Sequence, residues 1–139
     1  MENTEISLAS LHLNELQAMV ELMWLAATSD GSVHEAERSE IRAHVIAATG
    51  GQLSGATLEA LLDGIQRIAA GGPEADRLAA ILGRLPDLRL RKFALGLAAN
   101  VVVADGRIAG TELAFLRRAA TTMGIDLQIS DAIVARVEP

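Results

Sequence analysis

The sequence predicts an all-α protein, a compact bundle of about seven helices in which one helical unit occurs twice. Three observations predict this fold. Apolar residues recur at helical spacing, without a convincing segment of strand-like alternation. Half of the residues are hydrophobic but only 2% are aromatic, so Ala and aliphatic side chains must form the core. An Asp-Gly segment with its flanking residues appears once in each half of the chain.

The first two helices are predicted from stripes of apolar residues. The first extends from about residue 8 to 28, and its inner stripe consists of Leu16, Met19, Met23 and Ala26. The second extends from about residue 34 to 48, and its inner face consists of Ile41, Val45 and Ala48. Gly50-Gly51 ends the second helix, because Gly readily adopts the left-handed conformation found after a helix.

Ser54 is a suitable N-cap for a third helix, which Gly71-Gly72 ends. Its predicted apolar positions are Leu58, Leu61, Leu62, Ile65 and Ile68. Pro73 then begins a fourth helix that reaches about Leu85. Acidic residues in its first turn favour the positive helix N-terminus.

Pro86-Asp87 opens a fifth helix that extends to about Val103. It is apolar nearly all round after Lys92, which predicts that it is the central and most buried helix. Asn100 within it needs a hydrogen-bond partner if it is buried. A sixth helix covers about 110–123, and a short seventh follows Ser130. The short connections predict one domain, residues 1–139.

Charge and composition argue against several classes of protein. The net charge of −6 argues against a nucleic-acid-binding protein, which normally has a basic face. The absence of Cys excludes disulfides and thiolate chemistry. The N-terminus lacks the basic region of a signal peptide, and the longest apolar run, 93–104, is too short to span a bilayer. We therefore expect a cytoplasmic protein with no membrane insertion.

The repeated unit is the most informative feature of the sequence. Asp30-Gly31-Ser32-Val33 is followed by Glu37 and an apolar residue, and Asp105-Gly106-Arg107-Ile108 is followed by Glu112 and an apolar residue. Both copies read D-G-x-Φ-x-x-x-E-x-x-x-Φ, where Φ is apolar. Duplication explains the match, with one repeat at about 11–50 and the other at about 87–125.

Two interpretations of Asp30, Glu37, Asp105 and Glu112 remain open. In the first, the carboxylates cap helices: each Glu is the N3 acid of a capping box, and each Asp accepts hydrogen bonds within its own turn. In the second, the Asp and Glu of one copy point to the same corner of a helical hairpin and bind a divalent metal ion. An Asp near a helix C-terminus is opposed by the helix dipole, which a cation would relieve.

The motif also overlaps part of an EF-hand calcium loop. Asp30 and Asp105 match the fifth position of that loop, and Glu37 and Glu112 match the twelfth. The first and third positions lack ligands, since they are occupied by Ala26 and Thr28 in one copy and by Val101 and Val103 in the other. An ordinary EF-hand is therefore not expected.

An Ala-rich apolar helix followed by A-D-G-x-Φ-x-x-x-E, present in two halves of an all-helical chain, resembles the TerB family of tellurite-resistance-associated proteins. The resemblance covers about 11–137. The second half, from Val103 to Ile125, is the closer copy; the first has Ser29 where the family usually has Ala. The resemblance implies a seven-helix fold with internal pseudo-symmetry, a role in stress response, and metal binding through Asp30, Glu37, Asp105 and Glu112.

We therefore expect a non-enzymatic binding module whose partner is another protein and whose only candidate cofactor is a divalent metal ion. A purely structural or scaffolding domain without metal is the main alternative, and an enzyme with paired carboxylates is a third. His12, His34 and His44 do not have metal-ligand spacing with one another. No catalytic triad spacing, phosphate-binding Gly loop or H-E-x-x-H motif appears.

Overall fold

The computed structural model describes residues 13–29, 35–69, 72–103 and 110–137, and these ranges contain helices and connecting turns. The helices are α1 (Leu13–Ala27), α2 (Glu35–Ala48), α3 (Gly55–Ala69), α4 (Glu74–Arg84), α5 (Leu88–Val102), α6 (Gly110–Thr122) and α7 (Leu127–Val137). The prediction of an all-α bundle of about seven helices is confirmed.

Local hydrogen bonds determine where the later helices begin. The Asp87 carboxylate accepts a hydrogen bond of 2.8 Å from the Arg89 N–H and caps α5, as the sequence predicts. The prediction that α7 follows Ser130 is wrong by one turn. Asp126 accepts a 2.9 Å hydrogen bond from the Gln128 N–H, so α7 starts earlier and Ser130 lies buried inside the helix.

The centre of the bundle is formed by α1 together with α5. Helix α1 contacts α2, α3, α4, α5 and α6, whereas α5 contacts α1, α2, α6 and α7. The prediction that α5 alone is central and buried all round is therefore wrong. Phe93 and Leu97 are only partly buried and Asn100 is exposed, because one face of α5 lies open beside α7.

The two halves of the chain have matching helices. Both bounds of α5 are those of α1 plus 75, and α6 begins 75 residues after α2. Contacts also match: α1 packs on α3 as α5 packs on α7, and the α1–α6 contact corresponds to the α5–α2 contact. The repeated unit thus includes a third helix, α3 or α7. Helix α4 contacts α1 and α6 and has no counterpart among the described helices.

The central helices combine large side chains with small ones. Equivalent buried positions, 75 residues apart, carry Met19 and Ala94, Met23 and Ala98, and Trp24 and Ala99. Two copies of the large residues would compete for the space between α1 and α5. Large side chains on one helix and Ala on the other let the two axes approach and fill the core at native density.

Most predicted core positions of α2 and α3 are buried, including Ile41, Val45, Leu58, Leu62 and Ile65. Ile68 is an exception: 46% of its surface is exposed, because it lies in the last turn of α3. In the part of the chain that the structure describes, none of the helices has both the length and the hydropathy needed to cross a membrane.

Candidate functional site

The structure places the two glutamates of the predicted metal site at equivalent positions. Glu37 is the third residue of α2 and Glu112 the third residue of α6. Glu112 is partly buried. Asp30 and Asp105 lie outside the described residues, as does the side chain of Glu37. The distances between the four carboxylates are therefore not part of the described geometry.

The backbone around these glutamates repeats in length. Residues 28–34 separate α1 from α2, and residues 103–109 separate α5 from α6, so both connections contain seven residues. Each Asp-Gly pair lies within its connection. Among the side chains that the structure describes, no group of three His, Asp or Glu residues lies close enough to hold a metal ion.

An ionic cluster links α2 to α3. The Glu59 carboxylate accepts hydrogen bonds from Arg42 Nε at 2.5 Å and from Arg38 Nη2 at 3.0 Å. Arg38 also donates to Asp63 at 2.8 Å. The hydrogen bonds from Arg42 and then Arg38 favour the charged carboxylate and lower the pKa of Glu59 from 4.5 to about 2. The cluster lies at the surface, where water screens its charges.

We expect the contribution of Glu59 to stability to depend on pH. Because its pKa is lower in the folded protein, the contribution is present above pH 4.5 and disappears as the pH falls towards about 2. Thermal unfolding of wild type and Glu59→Gln across this range should give a difference in Tm that shrinks as the pH falls. A constant difference in Tm would contradict the assignment.

A buried carboxylate lies between α1 and α4. Only 1% of the surface of Glu21 is exposed. Its Oε1 accepts a 2.5 Å hydrogen bond from Arg84, and its Oε2 lies 3.9 Å from a guanidinium nitrogen of Arg77. Glu21 and Arg84 border a cavity of about 170 Å³ that α3 lines with residues including Leu61 and Ile65. The two arginines of α4 compensate a charge that would otherwise be costly to bury.

A larger groove of about 550 Å³ lies between α5 and α7. Its apolar lining consists of Phe93, Leu97, Ile129 and Ile133, and its charged lining consists of Lys92 and Arg136. Neither cation makes an ion pair or a hydrogen bond with a described residue. None of the described lining residues is acidic, although acids outnumber bases 18 to 12 in the chain.

Sequence reasoning missed both Glu21 and the groove. Glu21 was detectable in principle, since it is the one acid within the apolar run from Ala18 to Ala27. The groove had no local signal, because its lining comes from two helices whose proximity depends on the tertiary fold. The sequence-based concern for Asn100 does not apply, since Asn100 lies exposed on the groove.

Comparisons with known proteins identify a fold. No family model matches the chain, and no curated protein matches it. The chain is similar to the crystal structure of a protein of unknown function from Porphyromonas gingivalis W83, with a TM-score of 0.58 and 15% sequence identity. The match covers 97% of this chain and 96% of that one. At this identity the similarity extends to the fold alone.

Proposed function

We propose that this protein is a non-enzymatic, TerB-like binding module of a stress-response system that binds a divalent metal ion at its Asp-Gly corners. The observation that supports the proposal is the repeated geometry. Two helix pairs with seven-residue connections each place an acid at the third position of the second helix and an Asp-Gly pair in the connection. Asp30 with Glu37, and Asp105 with Glu112, supply the carboxylate oxygens that hard divalent cations prefer.

The second candidate is a scaffold domain without metal, and one observation favours it. The third helical position of Glu37 and Glu112 is where a capping-box acid accepts a hydrogen bond from the N-cap N–H. In that case the acids stabilise α2 and α6 and bind no ion. The two candidates differ in whether an added cation stabilises the folded protein.

Thermal unfolding of EDTA-treated protein during titration with Ca²⁺, Mg²⁺, Mn²⁺ or Zn²⁺ tests the proposal. An ion that binds only the folded state at a hundredfold excess over its Kd stabilises it by about 2.7 kcal/mol. We expect a saturable rise in Tm that Asp30→Asn combined with Asp105→Asn abolishes. Asp131→Asn, which neutralises an exposed acid on α7, is the matched control and should retain the rise. No rise with any of the four ions would favour the capping interpretation.

A further inference from the structure

The α5–α7 groove has an equivalent in the first half of the chain. The cavity beside Glu21 lies between α1 and α3, which correspond to α5 and α7. Positions of α1 and α5 are matched by the 75-residue interval, and positions of α3 and α7 by counting from the first residue of each helix. The equivalent pairs are Gln17 and Lys92, Glu21 and Gly96, Leu61 and Ile133, and Gly64 and Arg136.

In the first half, an amphipathic helix packs beside this surface. Helix α4 packs on α1, buries Leu78 and Ile81, and contributes Arg84 to the lining of the cavity. Its charges complement those beneath it, since Arg77 and Arg84 reach the buried Glu21. The molecule thus shows which kind of element this surface accepts: a short helix with an apolar face and complementary charges.

In the second half, the charges of the groove are reversed and no described helix covers it. The framework carries the cations Lys92 and Arg136 where the first half has the neutral residues Gln17 and Gly64. Gly96 takes the place of Glu21, so the acid that attracts arginines is absent. Ile129 leaves 40% of its surface exposed on the same groove. An occupant complementary to this surface must be apolar on one side and acidic at its flanks.

We infer that the α5–α7 groove is a docking site for an amphipathic helix of a partner protein that carries acidic residues. The helix would contact Leu97, Ile129 and Ile133 with its apolar face and pair its carboxylates with Lys92 and Arg136. From Lys92 to Asn100 the groove follows α5 for about 12 Å, two helical turns at 1.5 Å per residue. Two turns accommodate apolar side chains at i, i+3, i+4 and i+7 of an incoming helix. This site is separate from the Asp-Gly corners and needs no metal.

Fluorescence anisotropy in EDTA tests the inference on the full chain. The probe is a fluorescein-labelled peptide of about fifteen residues, a length at which isolated helices begin to be stable, with Leu on one stripe and Glu beside it. We expect saturable binding that weakens with added salt and falls about tenfold in the Lys92→Glu/Arg136→Glu variant. Arg67→Glu is the matched control: it reverses an exposed cation on α3, outside the groove, and should bind as wild type does.

A second variant guards against misfolding of the first. Ile129→Glu changes an exposed side chain of the groove and should also weaken binding about tenfold, through charge repulsion and lost apolar contact. Equal binding of a peptide with Lys in place of Glu, or unchanged binding to both groove variants, would overturn the inference. So would binding to phosphatidylserine vesicles in place of the peptide. Tighter peptide binding by a Glu2→Gln/Glu5→Gln variant would assign the groove to the chain's own N-terminal carboxylates and overturn an external partner.

Discussion

Replacing Arg84 by Met should lower the free energy of unfolding by about 3 kcal/mol, because it removes the closest partner of a buried carboxylate. Glu21 is 1% exposed, and Arg77 at 3.9 Å is too distant to replace the lost hydrogen bond. In a chain of this size the Tm should fall by about 10 °C. Thermal and urea unfolding of Arg84→Met and wild type measure the effect.

The same substitution at a surface arginine is the control for the loss of Arg84. Arg117 is 51% exposed and pairs with Asp131 at 3.2 Å, so Arg117→Met should cost less than about 1 kcal/mol. Combining Arg84→Met with Glu21→Leu removes the buried charge and should recover most of the lost stability. If Arg84→Met and Arg117→Met destabilise equally, Glu21 does not depend on Arg84 in the folded protein.

Leu95→Ala should lower the free energy of unfolding by about 3 kcal/mol, because it opens a cavity in the centre of the bundle. Leu95 is 0% exposed and lies on the buried face of α5. Urea denaturation should show a lower midpoint with an unchanged m value, which identifies a change in stability alone.

Leu97→Ala is the matched control, since it makes the same change two residues along the same helix. Leu97 is partly buried and lines the groove, where water fills the space left by the deleted atoms. Its cost should be about 1 kcal/mol. Similar costs at the two positions would mean that the face of α5 beside α7 is covered in solution, which the docking inference excludes.

Helix positions in this chain follow largely from local signals. Asp87 and Gly124 mark helix ends through capping and through the positive φ of 75° at Gly124, both of which act within a few residues. Misplacing the start of α7 has a local cause as well, since Asp126 competes with Ser130 for the role of cap and lies one turn earlier. The exposed end of α3 at Ile68 was missed because the periodic pattern continues beyond the point where a neighbouring helix covers it.

By itself, the sequence determined the all-α fold, the duplication and the candidate residues of the Asp-Gly corners, because helical periodicity, caps and repeats are properties of short segments. Only the tertiary structure decided that α1 shares the centre with α5, that α4 supplies arginines to the buried Glu21, and that the equivalent surface of α5 remains open with unpaired cations. The physical reason is distance along the chain. Glu21 and Arg84 are 63 residues apart, and no local rule relates the charge of one to the burial of the other.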